Sequence, residues 1–390
     1  MKKQLILGLA LAVSMFSCTT DDTSDIVIND NSVTNNNNGN GNGNGNQNVT
    51  LQGNYFTDLT LDPSINYTLG GPLVMTSGTT LTIPECMTIR ANANGAQVYI
   101  AIAQGAKIIA NGSATCPIVL TSNAAVPAAG DWGGLIILGK APINSASGTA
   151  TATSEIGNLP YGGPDAGDNS GSLSYVRVEY SGGAASSASE NNGFSFYGVG
   201  NGTNVDHIQA YEGKDDGIEF FGGTVNASFV SSINSQDDSV DWTEGFTGTL
   251  TDVYIKNRAS DDKAIEGDGL NNDVGNLGGF LSNPTIVNLT IVGEGSTNSP
   301  EAVRLRVGTK GSFTNVSITG YGEGFDLDDS QTGVNVVNDE LQVTDVTFTD
   351  VLVKVKNDTG SVFTDADFYT GEGNGTGTDY ATWGAGWTAQ

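Results

Sequence analysis

Three acidic pairs are the residues best placed by type and spacing to do chemistry: Asp215-Asp216, Asp237-Asp238 and Asp261-Asp262, at intervals of 22 and 24 residues. Each is followed by a further acid, Glu219, Asp241 or Glu266, inside a β-rich stretch. If those stretches stack, carboxylates on neighbouring coils lie about 5 Å apart. Two like charges at that distance repel by roughly 3 kcal/mol at an effective dielectric near 20, and by under about 1 kcal/mol in water. A solvated ladder tolerates this, whereas a partly buried one needs a cation or protons. Calcium, which takes about six to eight oxygen ligands, suits such a surface. These nine acids are the candidate metal ligands, although the glycine-rich calcium nonapeptide is absent. A second reading of the same residues stands beside it: Asp-Asp makes Asx turns and nothing more. Arg304 and Arg306 follow in the ladder, with Lys263 below them, and are the candidate ligand-binding cations. Their alternative role is to pair with Glu266 or Asp326 and relieve the repulsion. One histidine and no Cys-x-x-Cys leave nucleophilic triads and zinc clusters without support.

These side chains must be carried by a repeat. The triplets Phe194-Ser195-Phe196, Ile218-Glu219-Phe220, Val240-Asp241-Trp242, Ile265-Glu266-Gly267, Val303-Arg304-Leu305 and Phe325-Asp326-Leu327 recur at 24, 22, 25, 38 and 22 residues. A second set runs alongside: Val176-Arg177-Val178, Ile208-Gln209-Ala210, Val253-Tyr254-Ile255, Leu289-Thr290-Ile291, Val316-Ser317-Ile318 and Val346-Thr347-Phe348. The outer residues of a triplet are mostly apolar and the middle one mostly polar. Strand side chains alternate faces, so the outer two point inward and the middle one points to solvent. Propeller blades need ~40–45 residues, about twice this period. The chain therefore reads as all-β, a right-handed parallel β-helix of roughly ten coils over residues 49–390, with an insertion around 267–283. Trp242 is expected in the core, and the ending from Trp383 to Trp387 is expected to cap the last coil.

The N-terminal segment reads as an export signal. Lys2 and Lys3 precede 12 largely apolar residues, Leu5 to Phe16, too short for the roughly 20 residues that span a bilayer. Ser17-Cys18 resembles a lipobox, which makes residues 1–17 a signal peptide and Cys18 the lipidation site. Residues 18–48, rich in Asn and Gly, form a disordered tether reaching roughly 30 Å. No other segment is long and apolar enough to cross a membrane, so any anchoring is through lipid. Without Lys2 and Lys3 the basic residues number 13 against 43 acids, a net charge of −30. That excludes nucleic acid and anionic membrane surfaces, which require basic patches. Cys86 and Cys116, in an exported chain, either form a disulfide or remain two buried thiols.

Thr80-Leu81-Thr82-Ile83, Gly130-Asp131-Trp132-Gly133-Gly134 and the run from Asp215 through Glu219 to Asn226 resemble a family of exported β-helix lipoproteins common in Bacteroidetes. So does the closing Trp383-Gly384-Ala385-Gly386-Trp387-Thr388. The resemblance implies an outer-membrane lipoprotein exposed at the cell surface, and Asp21, Asp22 and Asp25 resemble that group's surface-export signal. It implies no settled activity. Glu85-Cys86 replaces the family's usual glycine turn, and with Cys116 a little over one coil later this favours a disulfide. In arrangement alone, carboxylates beside an arginine resemble calcium-dependent β-helix polysaccharide lyases. Gln236-Asp237-Asp238 resembles the paired aspartates of β-helix pectin hydrolases, but the accompanying Gly-His-Gly is missing, and His207 reads as a surface residue. The expected function is thus binding of an extracellular glycan or envelope protein, supported by calcium, with no catalytic residue assigned. A lyase or hydrolase, and a structural or adhesive coat, are the alternatives.

Overall fold

Residues that alternate apolar and polar form strands, and in the computed structural model of the protein these strands stack coil upon coil. The structure describes residues 34–35, 47–145, 148–185, 190–271 and 279–390. Cys18 and the export segment lie outside the described residues. The fold is a parallel β-helix. One inward column runs through Tyr55, Met75, Ile102, Ile137, Phe196, Phe220, Trp242, Gly267, Leu305 and Leu327, ten rungs in continuous register that end at exposed Asn357. At ~4.8 Å per rung the column is about 50 Å long. Every triplet of both sequence sets falls in register, and Val230-Ser231-Ser232 supplies the rung missing from the second set. Where the inward position is Gly267, the Trp242 ring fills the space: a Cβ there would lie 2.4 Å from Trp242 Cζ2.

Each coil turns at a residue in the left-handed conformation that the ladder pairing skips. Tyr175, His207, Phe229, Asp252, Asn288, Asn315 and Asp345 occupy this corner, with φ between 48 and 61°. Asp and Asn tolerate that region because their short side chains bond locally. Here they form a ladder: Asn288 Nδ2 donates to Asp252 Oδ1 at 3.0 Å and Asn315 Nδ2 to Asn288 Oδ1 at 2.8 Å. Tyr175, His207 and Phe229 offset the strain by stacking, with centroids 4.0 and 4.2 Å apart. His207 is therefore clamped between rings, with Nδ1 2.8 Å from Asp206, rather than standing loose on the surface.

The middle residues of the first triplet set are not open to solvent as expected. Ser195, Glu266 and Asp326 are only 2, 7 and 3% exposed. Glu266 is covered by Lys263 and Arg306 and Asp326 by Lys356, while the earlier rungs lie against a second layer. After the strand Trp132–Leu138 the chain makes an excursion through residues 139–168. Ile143, Ile156 and Tyr161 from it pack on outward-facing Tyr99, Ile136, Leu138, Tyr197 and Phe221. Outward apolar residues on the first rungs thus recruit a covering flap, which extends over the acidic rungs that follow.

Two further differences concern the ends. Thr34–Asn35, inside the expected tether, pairs antiparallel with Thr50 and Val49, and the first long strand begins at Gln47. The Trp383–Trp387 ending does not cover the last coil. It runs back along the corner row, where Trp387 lies edge-on to Tyr175 and His207, and Gly386 approaches Ala114. The last coil is instead covered by Asp365–Phe368 and Tyr369–Thr370, with Phe368 edge-on to Phe325. Cys86 and Cys116, 4.3 Å apart at Cα, are joined as a disulfide.

Candidate functional site

Each rung of the acid-bearing face carries three outward positions, two that alternate along the strand and one three residues before the first of these. The first row contains Asp216, Asp238, Lys263, Glu301 and Glu323; the second contains Glu219, Asp241, Glu266, Arg304, Asp326 and Lys356. A third holds Phe221, Thr243, Asp268, Arg306 and Asp328. The stacked acids do converge. Ligand oxygens of Asp215, Asp216 and Asp237 lie within 4.8 Å of one another, as do those of Asp216, Glu219 and Asp241, of Asp237, Asp238 and Asp262, and of Asp238, Asp241 and Glu266.

Eight of the nine candidate ligands therefore meet, and Asp261 does not join them. From Asp238 the next rung starts 25 residues on, so Lys263, not Asp262, stands opposite Asp238. Asp261 instead accepts from the Arg258 backbone N–H at 2.8 Å and from Arg258 Nε at 3.1 Å. Two of the acids instead accept backbone N–H groups of the following coil: the Asp238 N–H donates to Asp216 Oδ1 at 2.9 Å and the Lys263 N–H to Asp238 Oδ1 at 3.0 Å. These bonds tie one coil to the next rather than closing a local turn.

The electrostatics follow from burial and from carboxylate neighbours. Burial, then Glu190 and Asp237, pushes Asp215 up to about 8. Asp216, Glu219, Asp238 and Asp241 are held well above the ordinary carboxylate range, first by burial and then by neighbouring carboxylates. Burial also raises Asp237, with Asp262 adding to it. Buried Lys263 and half-buried Arg306 answer part of this charge. Lys263 Nζ is 2.6 Å from Asp262 and 3.3 Å from Glu266. Arg306 pairs with Glu266 and, at 2.7 Å, with Asp268. Arg304 takes neither expected partner; it pairs with Asp328 at 2.6 Å, because its rung neighbour Glu266 is already held by Lys263 and Arg306. Within the ladder of paired acids, Asp241 Oδ1 is buried with no hydrogen-bond partner.

Beside this ladder opens a cleft of about 570 Å³. Its floor is Glu219, Phe221, Asp241, Thr243, Asp268 and Arg306, and its walls are Glu155 from the flap, Asn271 from the insertion, and Asp328-Asp329. Burial opposed by Arg306 leaves Asp268 at about 6. A buried clasp holds the walls together. Tyr161 Oη donates to Glu244 Oε2 at 2.8 Å, Asn271 Nδ2 to Glu244 Oε1 at 2.9 Å, and Asn144 Nδ2 to the Phe280 carbonyl at 2.7 Å.

Sequence reasoning missed several cleft residues. Asp268 and Asp328 lie two positions after Glu266 and Asp326, on the same strand face, so alternation could have found them. Glu155, Glu244 and Tyr161 carry no such signal. The cleft's acids can hold a cation or protons, and its one cation, Arg306, is committed to carboxylates.

Comparison with known proteins adds one positive finding. A family model described as a pectate-lyase like beta helix domain matches residues 53–388, nearly the whole described β-helix. No curated protein and no solved structure matches the chain. With its register, flap and acidic face in view, the chain belongs to the pectate-lyase like beta helix domain family.

Proposed function

We propose that the protein binds an extracellular glycan in the acidic cleft through a divalent cation, calcium by its ligand chemistry, and does so from the cell surface, tethered by lipid on Cys18. The carrying observation is the cleft itself: six carboxylates, Glu155, Glu219, Asp241, Asp268, Asp328 and Asp329, face one arginine. Asp241 presents a buried oxygen that no donor satisfies. A hard cation takes oxygen ligands from both protein and ligand, so it can bridge these carboxylates to sugar hydroxyls or uronate carboxylates. The family is compatible with a polysaccharide-related role. Arg304 and Arg306 are held in ion pairs, which supports binding over proton abstraction by either of them.

The test is binding of the purified protein to neutral and uronic-acid oligosaccharides in millimolar calcium and then in chelator. Binding is expected only with calcium and is expected to be lost in Asp241→Asn, while circular dichroism keeps its β signature. Equal binding in chelator sinks the cation bridge. Release of unsaturated or reducing-end products would make the protein a lyase or a hydrolase instead.

A further inference from the structure

Past the basic residues Lys263, Arg304 and Arg306, the outward rows become acidic again. Glu301 and Glu323 face each other on adjacent rungs, and Asp326 lies three residues beyond Glu323. One carboxylate oxygen from each of the three lies within 4.8 Å of the other two. Asp326 is almost completely buried; its Oδ2 accepts from Lys356 Nζ at 3.0 Å, while its Oδ1 has no hydrogen-bond partner. Glu301 Oε2 is likewise buried and without a donor. A buried carboxylate oxygen left unmatched is costly, and here two meet in one place.

We propose that Glu301, Glu323 and Asp326 form a second divalent-cation site, separate from the cleft and independent of the glycan reading. The resident cations do not satisfy it. Lys356 is shared among Asp326, Glu323 and Asp358 at 3.0, 3.4 and 3.3 Å, and Arg304, on the strand of Glu301, is turned to Asp328. Three carboxylates against one shared ammonium leave about two negative charges, the complement of a divalent ion. Oxygen-only ligands select a hard ion such as calcium or magnesium, and the flexible, uneven arrangement favours calcium. A surface cleft of about 380 Å³ lined by Glu301, Glu323, Lys356, Gly322, Leu352 and Val353 provides entry. The competing occupant is a proton on Glu301. Burial pushes Glu301 up to about 7 against the pull of Lys263 and Arg304, so an arriving metal displaces a proton near neutral pH.

Equilibrium dialysis of the full chain with radiolabelled calcium at neutral pH tests the site. Glu301→Gln and Asp326→Asn are each expected to bind one ion fewer per chain, or to hold it at least about tenfold more weakly. Asp241→Asn, altered only in the cleft, is expected to keep this ion. Glu323→Gln, on a half-buried residue, serves if the buried variants fail to fold, and is expected to weaken the same ion. Unchanged stoichiometry and affinity in Glu301→Gln and Glu323→Gln overturns the proposal and leaves the proton on Glu301. Loss confined to Asp241→Asn also overturns it, while supporting the cleft.

Discussion

Asp215, Asp216, Glu219, Asp238 and Asp241 all resist ionisation in the folded chain, and this sets an unusual pH dependence. Their folded pKa values lie above those of the unfolded chain, so between the two the folded state holds more protons. Stability from these groups is then greatest in mild acid and is lost as pH rises from the ordinary carboxylate range, about 4, toward the value of about 8 reached by Asp215. Asp62, Asp350, Asp367 and Glu372 are shifted down and act oppositely, but they are exposed and their window lies below that range. The melting temperature in chelator is therefore expected to fall between about pH 5 and pH 8, and millimolar calcium is expected to remove much of the fall. A hundredfold excess over Kd would stabilise by about 2.7 kcal/mol. A chelated melting temperature that rises over the interval would show that the ladder is ionised when folded.

At the scale of elements, the flap of residues 139–168 decides whether the acids are a surface or a site. Apolar packing of Ile143, Ile156 and Tyr161 brings it down, and the Tyr161–Glu244–Asn271 clasp joins it to the ladder rung and the insertion. Tyr161→Phe keeps the ring tilted against Tyr197, centroids 4.8 Å apart, but removes the donor to buried Glu244. The unmet carboxylate oxygen costs about 1–3 kcal/mol. Because coils of a solenoid couple mainly to their neighbours, this loss is expected as faster hydrogen exchange in residues 139–168 and not as global unfolding. Unaltered exchange there would mean that apolar contacts alone hold the flap.

For the whole molecule, the C-terminal segment acts as a strap across coils that stacking alone joins only pairwise. The Thr378 N–H donates to Thr290 Oγ1 at 2.9 Å and Asn315 Nδ2 to the Gly377 carbonyl at 3.1 Å. Arg177 donates to the Trp387 carbonyl and the Ala389 N–H to Gln209 at 2.7 Å. Trp387 is fully buried, and truncating it to alanine costs about 3–5 kcal/mol at a site that cannot collapse. Trp387→Ala is expected to expose residues 371–390 to proteolysis while the acid-bearing strands stay protected. Loss of protection throughout would make the strap a condition of the fold.

The sequence by itself determined the coil. Inward and outward positions follow from alternation within each triplet, and a period in the low twenties leaves stacking as the only way to bury the apolar pair. The triplets from Phe194 to Leu327 consequently fall in register without exception. The left-handed corners went unread: Asp252, Asn288, Asn315 and Asp345 suit that conformation by residue type, while Tyr175, His207 and Phe229 do so only because stacking across coils offsets their strain. Only the tertiary structure decided what the outward face meets. No local pattern says that residues 148–168 fold back over rungs 50 to 100 positions later, yet that contact buries Glu244 against Tyr161 and sets Glu155 in the wall of the cleft. Likewise, the three additional residues between Asp238 and Lys263 move Asp261 off the ladder and bring in a lysine. Register between coils depends on where each loop closes, and that is a property of the packed chain rather than of any one repeat.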